Sequence, residues 1–481
     1  MLRTAEQYKK GLRDARKVFI RGKPVPDVTQ DPYIKVGVET AAHDFLMAHD
    51  PEMRDIAVME DPQNGEPVST YFELPDYPEA VAKRHQLVKR ACYFADGAIP
   101  FVKDVGTDIL NGLALVTRLM ENHEYQARVN DYRRYCARKD LTMAGAVTDT
   151  RGDRSKAPHQ QESPEYYLRV VDETADEIVV SGAKAHITAS AYVDEILVMP
   201  TRNMSEEDAD YAVAFAVPAD SPGITQICRP SFPYEDRYHF PTARPMRGHV
   251  EAMIIFDNVR VPKERVFMLR DWAFAQHLAY AFTAFHRYTA VTYKIPIIEL
   301  MTGVAMLAAE ANGISKASHV REKYINMIRY VETTKALALA AGASPEDFGG
   351  SGLYVPNRLI SNMAKLHFAS NFHEYVRDIQ DIAGGILVTQ PTYQDWLNPE
   401  LQPYLKRYMG GADGFDAEKR LKLMSALHHL VASDFGGWHE ICTIHAEGSF
   451  AAQKMMILME APLETYRERA AEIVGLDPGE A

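Results

Sequence analysis

The stretch DEIVVSGAKAHITASA, residues 176–191, decides how this chain folds. Ile178, Val179 and Val180 are β-branched, Gly182 interrupts them, and polar and small residues alternate after it, which is the signature of a strand. Five more stretches nearby read the same way: LTMAGAVTD (141–149), YYLRVV (166–171), DEILVMPT (194–201), YAVAFAVPA (211–219) and EAMIIFDNVRVP (251–262). Turn material such as DRSKAP (153–158) and SPG (221–223) separates them, so an antiparallel sandwich or barrel is expected. On either side the period changes from two to three and four. AVAKRHQLVKRACYFADG (80–97) and the run from Asp104 to Asp140 are helical patterns, and ASHVREKYINMIRYVETTKALALAAG (317–342) is another, with Gly342 read as its cap. Breaks at GGSGLYVP (349–356) and QPTYQDWLNPELQP (390–403) divide the last part into helices of a bundle. The expected fold class is therefore α+β and multidomain: an N-terminal helical domain (1–140), a middle antiparallel β domain (141–268) and a C-terminal helical bundle (269–481).

The whole-chain numbers agree. At 481 residues, with 46% hydrophobic and 25% charged, the chain exceeds what one core holds and is not disordered. A net charge of -13 argues against nucleic acid or an anionic membrane surface as partner, because both need clustered Lys and Arg. No run of about 18 apolar residues is seen and the N-terminal residues carry charges throughout, so a cytoplasmic protein is expected. Cys92, Cys136, Cys228 and Cys442 are far apart with no CxxC pair, which points to reduced thiols and no metal site.

Four short stretches carry candidate chemistry, each with a bland alternative. VTDTRGDRS (147–155) holds Gly152 for a tight turn and the polar groups of Thr148, Asp153, Arg154 and Ser155, and is either a loop for a phosphate or cofactor ring or a charged surface turn. Residues 182–191 place His186, Thr188 and Ser190 at alternating positions, hence on one strand face. Gly384 and Gly385 in DIAGGILVT allow close backbone approach or end a helix. Gly448 and Ser449 precede a helix, where they can favour a phosphate or simply cap it.

In their order these segments, with FDNVRVPKERVF, KASHVREK and HAEGS, resemble the flavoprotein family of 4-hydroxyphenylacetate 3-monooxygenase and 4-hydroxybutyryl-CoA dehydratase, which has the acyl-CoA dehydrogenase fold. The resemblance implies FAD between the β domain and the bundle, a homotetramer built as a dimer of dimers, and a cofactor site completed by a neighbouring subunit. It assigns Thr148, Asp149, Arg154, Ser155, Thr188, Ser190, Gly384, Gly385, Gly448 and Ser449 to the cofactor.

Within the family, the dehydratase branch holds a 4Fe-4S cluster through C-x3-C and H-x6-C. Here those positions read Cys92, Asp96, His286 and Tyr293, and the dehydratase tyrosine after the histidine is Ala290. Cluster iron demands thiolates, so no Fe-S cluster is expected. Cys92 and Asp96, four apart, are expected on one helical face, and the resemblance to the cluster-bearing relatives implies that all four residues line one pocket beside the flavin. The phenol-binding positions of the monooxygenase branch fall at Val105, Ile109 and Gly145, without its Arg, Tyr and His. The candidate catalytic set is His286, Tyr293, Asp96, Glu251, Cys92 and Lys294, with a histidine beside acids as the acid/base group. The expected activity is hydroxylation of an aromatic or heteroaromatic small molecule by FADH2 and O2 through a flavin C4a-hydroperoxide. A separate flavin reductase supplies the FADH2, since no GxGxxG follows a strand. The alternatives are a lyase or isomerase acting on an acyl-CoA thioester, and a flavin-binding subunit without catalysis.

Overall fold

The computed structural model describes residues 2–230, 240–242 and 248–476. All six stretches with the two-residue period contain strands. Ten strands build the β region: β1 (Val18–Ile20), β2 (Lys23–Pro24), β3 (Met143–Ala146), β4 (Arg169–Glu173), β5 (Glu177–Thr188), β6 (Glu195–Val198), β7 (Val213–Pro218), β8 (Ile224–Pro230), β9 (Val250–Pro262) and β10 (Val266–Leu269). They form a six-stranded sheet, β2-β1-β8-β9-β5-β4, and a four-stranded sheet, β10-β7-β6-β3. Phe215 of one sheet meets Phe256 of the other edge-on, with ring centres 6.2 Å apart. The inward residues Ile178, Val180, Ile196, Val198, Val259 and Val261 fill the space between.

Two expectations about this region need correction. Segment 1–140 is not purely helical, because VFI at 18–20 leaves for the sheet and returns through a turn at Gly22, whose φ of +75° suits glycine. The β region is not purely antiparallel either: β1 runs parallel to β8 and β3 parallel to β6, since each pair is joined by a long excursion rather than a hairpin.

The helices that matter for the site are α1 (Glu79–Phe94), α2 (Asp104–Leu119), α3 (His123–Lys139), α4 (Ala275–Ala311), α5 (Ser318–Ala343), α6 (Arg358–Ala383), α7 (Ala417–Val431), α8 (Asp434–His445) and α9 (Phe450–Glu460). The 37-residue α4 is the axis, packed by α1, α2, α5, α6 and α7. By length and mean hydropathy it is apolar enough to cross a membrane, although His286, Arg287 and Lys294 break any uninterrupted apolar run. It is the core helix, with 61% of its most apolar window buried inside the protein, as a helix apolar all round must be. Gly342 does not cap α5. The helix continues to Ala343, and Gly342 is there because an added Cβ would overlap the Tyr288 hydroxyl.

Candidate active site

The chemistry collects on the inward face of α4. His286, Ala290, Tyr293 and Lys294 follow the i, i+4, i+7, i+8 spacing and are all buried, so one stripe of the helix points into the seam between bundle and sandwich. Lys294 Nζ lies 3.1 Å from Glu447 Oε2, Lys365 Nζ of α6 lies 2.8 Å from the same oxygen, and the Tyr293 hydroxyl donates to Glu447 Oε1 at 2.9 Å. Glu447 comes from the short link between α8 and α9, where its φ of +58° turns the chain. Burial would raise its carboxyl pKa, but Lys294 and Lys365 outweigh that and hold it well below the usual carboxylate range. Two ammonium groups thus share one carboxylate. Burial lowers Lys365 to about 8 against the pull of Glu447.

Two turns back on α4, His286 Nδ1 is 3.1 Å from Asp108 Oδ2 on α2. The other oxygen of Asp108 accepts from Arg84 Nη2 of α1 at 2.6 Å, and Arg84 also donates to the Asp104 carbonyl and to Thr107. A carboxylate on Nδ1 puts the proton there and leaves Nε2 as the basic atom. The Phe282 ring stacks on the imidazole at 5.0 Å and fixes its plane. Asp104, one turn before Asp108, is raised to about 6 by burial and by the Asp108 charge.

Of the four cluster-type positions, the structure brings together His286 and Tyr293, whose ring centres are 6.4 Å apart, and sets Cys92 in the same apolar core as Tyr293. Asp96 is not on the helical face of Cys92. The helix ends at Phe94, Asp96 adopts φ +58°, and the Gly97 amide closes the end by donating to the Cys92 carbonyl at 2.8 Å. Burial, with Asp104 and Asp44 nearby, raises the Cys92 thiol well above its ordinary pKa, which keeps it protonated. Tyr293 is spent on Glu447. These four residues do not fit an iron–sulfur cluster, which needs thiolates. Among the described residues no three His, Cys, Asp or Glu side chains are grouped so as to hold a metal ion.

Glu251 belongs to a second polar group on β9. It accepts from Thr188 at 3.0 Å and from the Trp438 indole of α8 at 3.2 Å, and His249 Nε2 is 3.5 Å away. Phe101 stands between the two groups, with its ring 5.3 Å from His249 and 5.5 Å from Tyr293. His439 lines a cavity of about 20 Å³ together with Phe101, His249 and Trp438; both its ring nitrogens are unpartnered among the described residues, and burial lowers it to about 3, so it is neutral.

The residues assigned to a cofactor are dispersed. Asp149 is buried and saturated: Lys184 Nζ is 2.8 Å away, and Leu168 N and Thr201 Oγ1 each donate at 3.2 Å, so its carboxylate braces the sandwich. The Thr148 carbonyl accepts from Ala185 N. Arg154 and Ser155 lie on an exposed loop, where Ser155 donates to Asp153 at 2.7 Å. His186, Thr188 and Ser190 do not share a face. A bulge sets Ala185 and His186 opposite Met253 alone, His186 takes φ +60° and points outward, and β5 ends at Thr188. Ser190 is buried, and its hydroxyl has no partner among the described residues. Ser449 caps α9, and Gly448 admits Arg287 where a Cβ would sit 2.7 Å from Nη2. Gly384 and Gly385 are exposed with open space around them. They end α6 nineteen residues after Lys365, about 28 Å along the helix axis.

Val105, Ile109 and Gly145 do meet: a Cβ on Gly145 would fall 2.7 Å from Ile109 Cδ1 and 3.0 Å from Val105 Cγ1. The contact is wholly apolar. Glu447, Lys365, Asp108, Asp104 and Arg84 were not found from the sequence. The signal for Glu447 was there, because Lys294 and Lys365 lie at buried helix positions and each calls for a carboxylate.

Family models described as 4-hydroxyphenylacetate 3-hydroxylase N terminal and C terminal match residues 4–268 and 275–475. The chain is 30% identical to 4-hydroxybutyryl-CoA dehydratase/vinylacetyl-CoA-Delta-isomerase of Clostridium aminobutyricum, covering 99% of this chain and 100% of that one. It is 29% identical to the 4-hydroxyphenylacetate 3-monooxygenase oxygenase component of Thermus thermophilus, covering 98% and 96%. Among solved structures, an oxygenase component of 4-hydroxyphenylacetate 3-monooxygenase complexed with FAD superposes with a TM-score of 0.89 at 26% identity, covering 98% of both chains.

Proposed function

The chain belongs to the 4-hydroxyphenylacetate 3-hydroxylase family, with its acyl-CoA dehydrogenase-like fold, and from that premise we propose that it is the oxygenase component of a two-component flavin system. Its substrate is a small aromatic or heteroaromatic molecule, and a separate reductase delivers the reduced flavin. The observation that carries this reading is the Tyr293–Glu447 hydrogen bond between Lys294 and Lys365: a cluster-ligand position has become part of an acid/base pocket.

FAD suits the residues present. The unpartnered Ser190 hydroxyl lies two residues beyond Thr188, whose partner Glu251 reaches Trp438 of the bundle, and a flavin edge offers the acceptors and donors such a hydroxyl needs. Ser190 and Thr188 would hold the ring, with Arg154 and Ser155 toward the phosphates. Gly384 and Gly385, remote within one chain, would serve a neighbouring subunit, in keeping with a homotetramer and with the apolar side chains of Ile325, Ile328 and Leu339 exposed on α5. When bound in its reduced form, FAD supplies the two electrons that activate O2.

The chain's own residues handle protons and exclude water. His286 Nε2 takes the proton of the acidic group of the substrate, Asp108 Oδ2 holds Nδ1–H, and Arg84 holds Asp108. Lys294 and Lys365 give the pocket an excess of positive charge that favours the resulting anion. With Val105, Ile109 and Gly145 apolar, the substrate is not read as the family's 4-hydroxyphenyl substrates are.

A lyase or isomerase acting on acyl-CoA thioesters is the second reading. It is favoured by Glu251, the counterpart of a dehydratase glutamate, still placed across Phe101 from Tyr293. Rapid mixing of photoreduced FAD and protein with O2 separates the two. A protein-dependent oxidation phase, slower than that of free reduced flavin, is expected; oxidation identical to free flavin together with tight CoA-thioester binding would establish the second reading.

A further inference from the structure

A second cavity, of about 20 Å³, lies behind His286, between α1, α2, α4 and the turn at residues 70–75. Thr70, Arg84 and Asn111 line it, and each is at least partly buried with an unpartnered polar atom: Thr70 Oγ1, Arg84 Nε and Asn111 Nδ2. Thr70 and Asn111 are 4% and 1% exposed, so water outside does not satisfy them. Arg133 of α3 stands behind Asn111, donating to its Oδ1 at 2.9 Å, and its own Nε is unpartnered too. All four atoms can donate and three of them can do nothing else.

The charges point the same way. Arg84 is compensated by Asp108 at 2.6 Å. Arg133 is buried and pairs with no carboxylate among the described residues, its other donor reaching only the Phe72 carbonyl at 3.4 Å. Burial, with the Arg84 and Arg118 guanidiniums nearby, lowers it to about 9, only partly offset by the more distant Asp76 carboxylate. Glu73 also lines the cavity, but Lys83 neutralises it at 2.8 Å and Tyr77 donates to the same oxygen. Unpartnered donors around a space of one or two water volumes, with the one lining carboxylate already neutralised and a guanidinium that has no ion-pair partner among the described residues close behind, describe a receptor for a small anion.

We propose that this cavity binds the carboxylate of a small organic acid, held by Arg84, Asn111 and Thr70 and balanced by Arg133. An occupant would share Arg84 with Asp108, and so sits one residue removed from the pair that orients His286. The site does not depend on whether the reaction is oxygenation or thioester chemistry.

Sodium acetate titrated into the FAD-loaded protein, with sodium chloride at equal ionic strength as the reference, tests this through thermal unfolding. A ligand that binds the folded state raises Tm saturably. Acetate is expected to do so in the wild type, with half-saturation moved at least tenfold higher in Arg133→Met and in Asn111→Leu. Thr70→Val, which removes one donor and little volume, covers the case in which either variant fails to fold, and is expected to weaken acetate several-fold. An equal rise with chloride, an unchanged acetate response in the variants, or no acetate response at all means that the cavity holds water only and overturns the proposal. So does inorganic phosphate acting at lower concentration than acetate, since the space is too small for it.

Discussion

Two buried lysine–carboxylate contacts, both 2.8 Å long, do different work in this molecule. In the sandwich, Lys184 and Asp149 pair one to one. Asp149 also accepts from Leu168 N and Thr201, while Lys184 also donates to the carbonyls of Val147 and Met199. All three ammonium protons and both carboxylate oxygens have partners, and the pair ties β3 to β5 and β6. In the bundle, Glu447 answers two lysines and a tyrosine, and the lysines hold it ionised. The first contact is closed and neutral; the second sets two lysines against one carboxylate. Stoichiometry, rather than distance or burial, separates a brace from a site.

Asp149→Ala breaks the closed pair and has the largest expected effect. It strands Lys184 where burial already disfavours its charge, and a loss of about 3 to 5 kcal/mol in chemical unfolding is expected. Flavin binding per molecule of folded protein should be little changed, because the carboxylate faces the interior; loss of flavin from a fully stable variant would return Asp149 to the cofactor site. Glu447→Gln comes next, at about 1 to 3 kcal/mol near neutral pH. Glutamine still accepts from Tyr293, and Lys365, already lowered to about 8, can shed its proton instead of remaining as a bare charge. A loss as large as that of Asp149→Ala would show that the bundle contact is also a brace.

The same comparison shows what the sequence could carry. The strands were legible because a period of two in residues such as Ile196 and Val198 reflects a physical constraint on one chain segment. The resemblance of segments in order located the fold and the α4 stripe, on which His286 and Tyr293 lie with ring centres 6.4 Å apart and Tyr293 and Lys294 both reach Glu447. Bulges and helix ends were not legible. One extra residue at His186 undid the alternation that should have aligned Thr188 with it, and an αL residue at Asp96 cut the four-residue spacing from Cys92. Asp149 and Glu447 were misjudged for one reason: each stands in a polar loop, and which lysine reaches it depends on segments 35 to 153 residues away. Gly342 looked like a cap because the partner that requires it, Tyr288, lies on another helix.

Lys365→Met sharpens the comparison with the smallest change, by converting the two-lysine site into a one-to-one pair like that of the sandwich. Methionine fills the aliphatic path of the lysine, and Lys294 remains to neutralise Glu447, so stability at pH 7 should move by less than about 1 kcal/mol. The pH dependence is where the variant differs. Lys365 is lowered from 10.5 to about 8 in the folded protein, so between those values the unfolded chain holds a proton that the folded chain has released. Stability from this group is therefore present in full above 10.5, and is lost as pH falls through 8. Two and a half units correspond to a contribution on the order of 3 kcal/mol. Wild-type unfolding free energy should accordingly carry an upward component between pH 8 and 10 that Lys365→Met lacks, read from denaturant midpoints at each pH. Parallel curves for the two proteins would mean that Lys365 keeps its proton throughout, which can happen only if a second anion stands beside it. The bundle site would then be as closed as the Asp149 pair, and the surplus charge on which its chemistry rests would not exist.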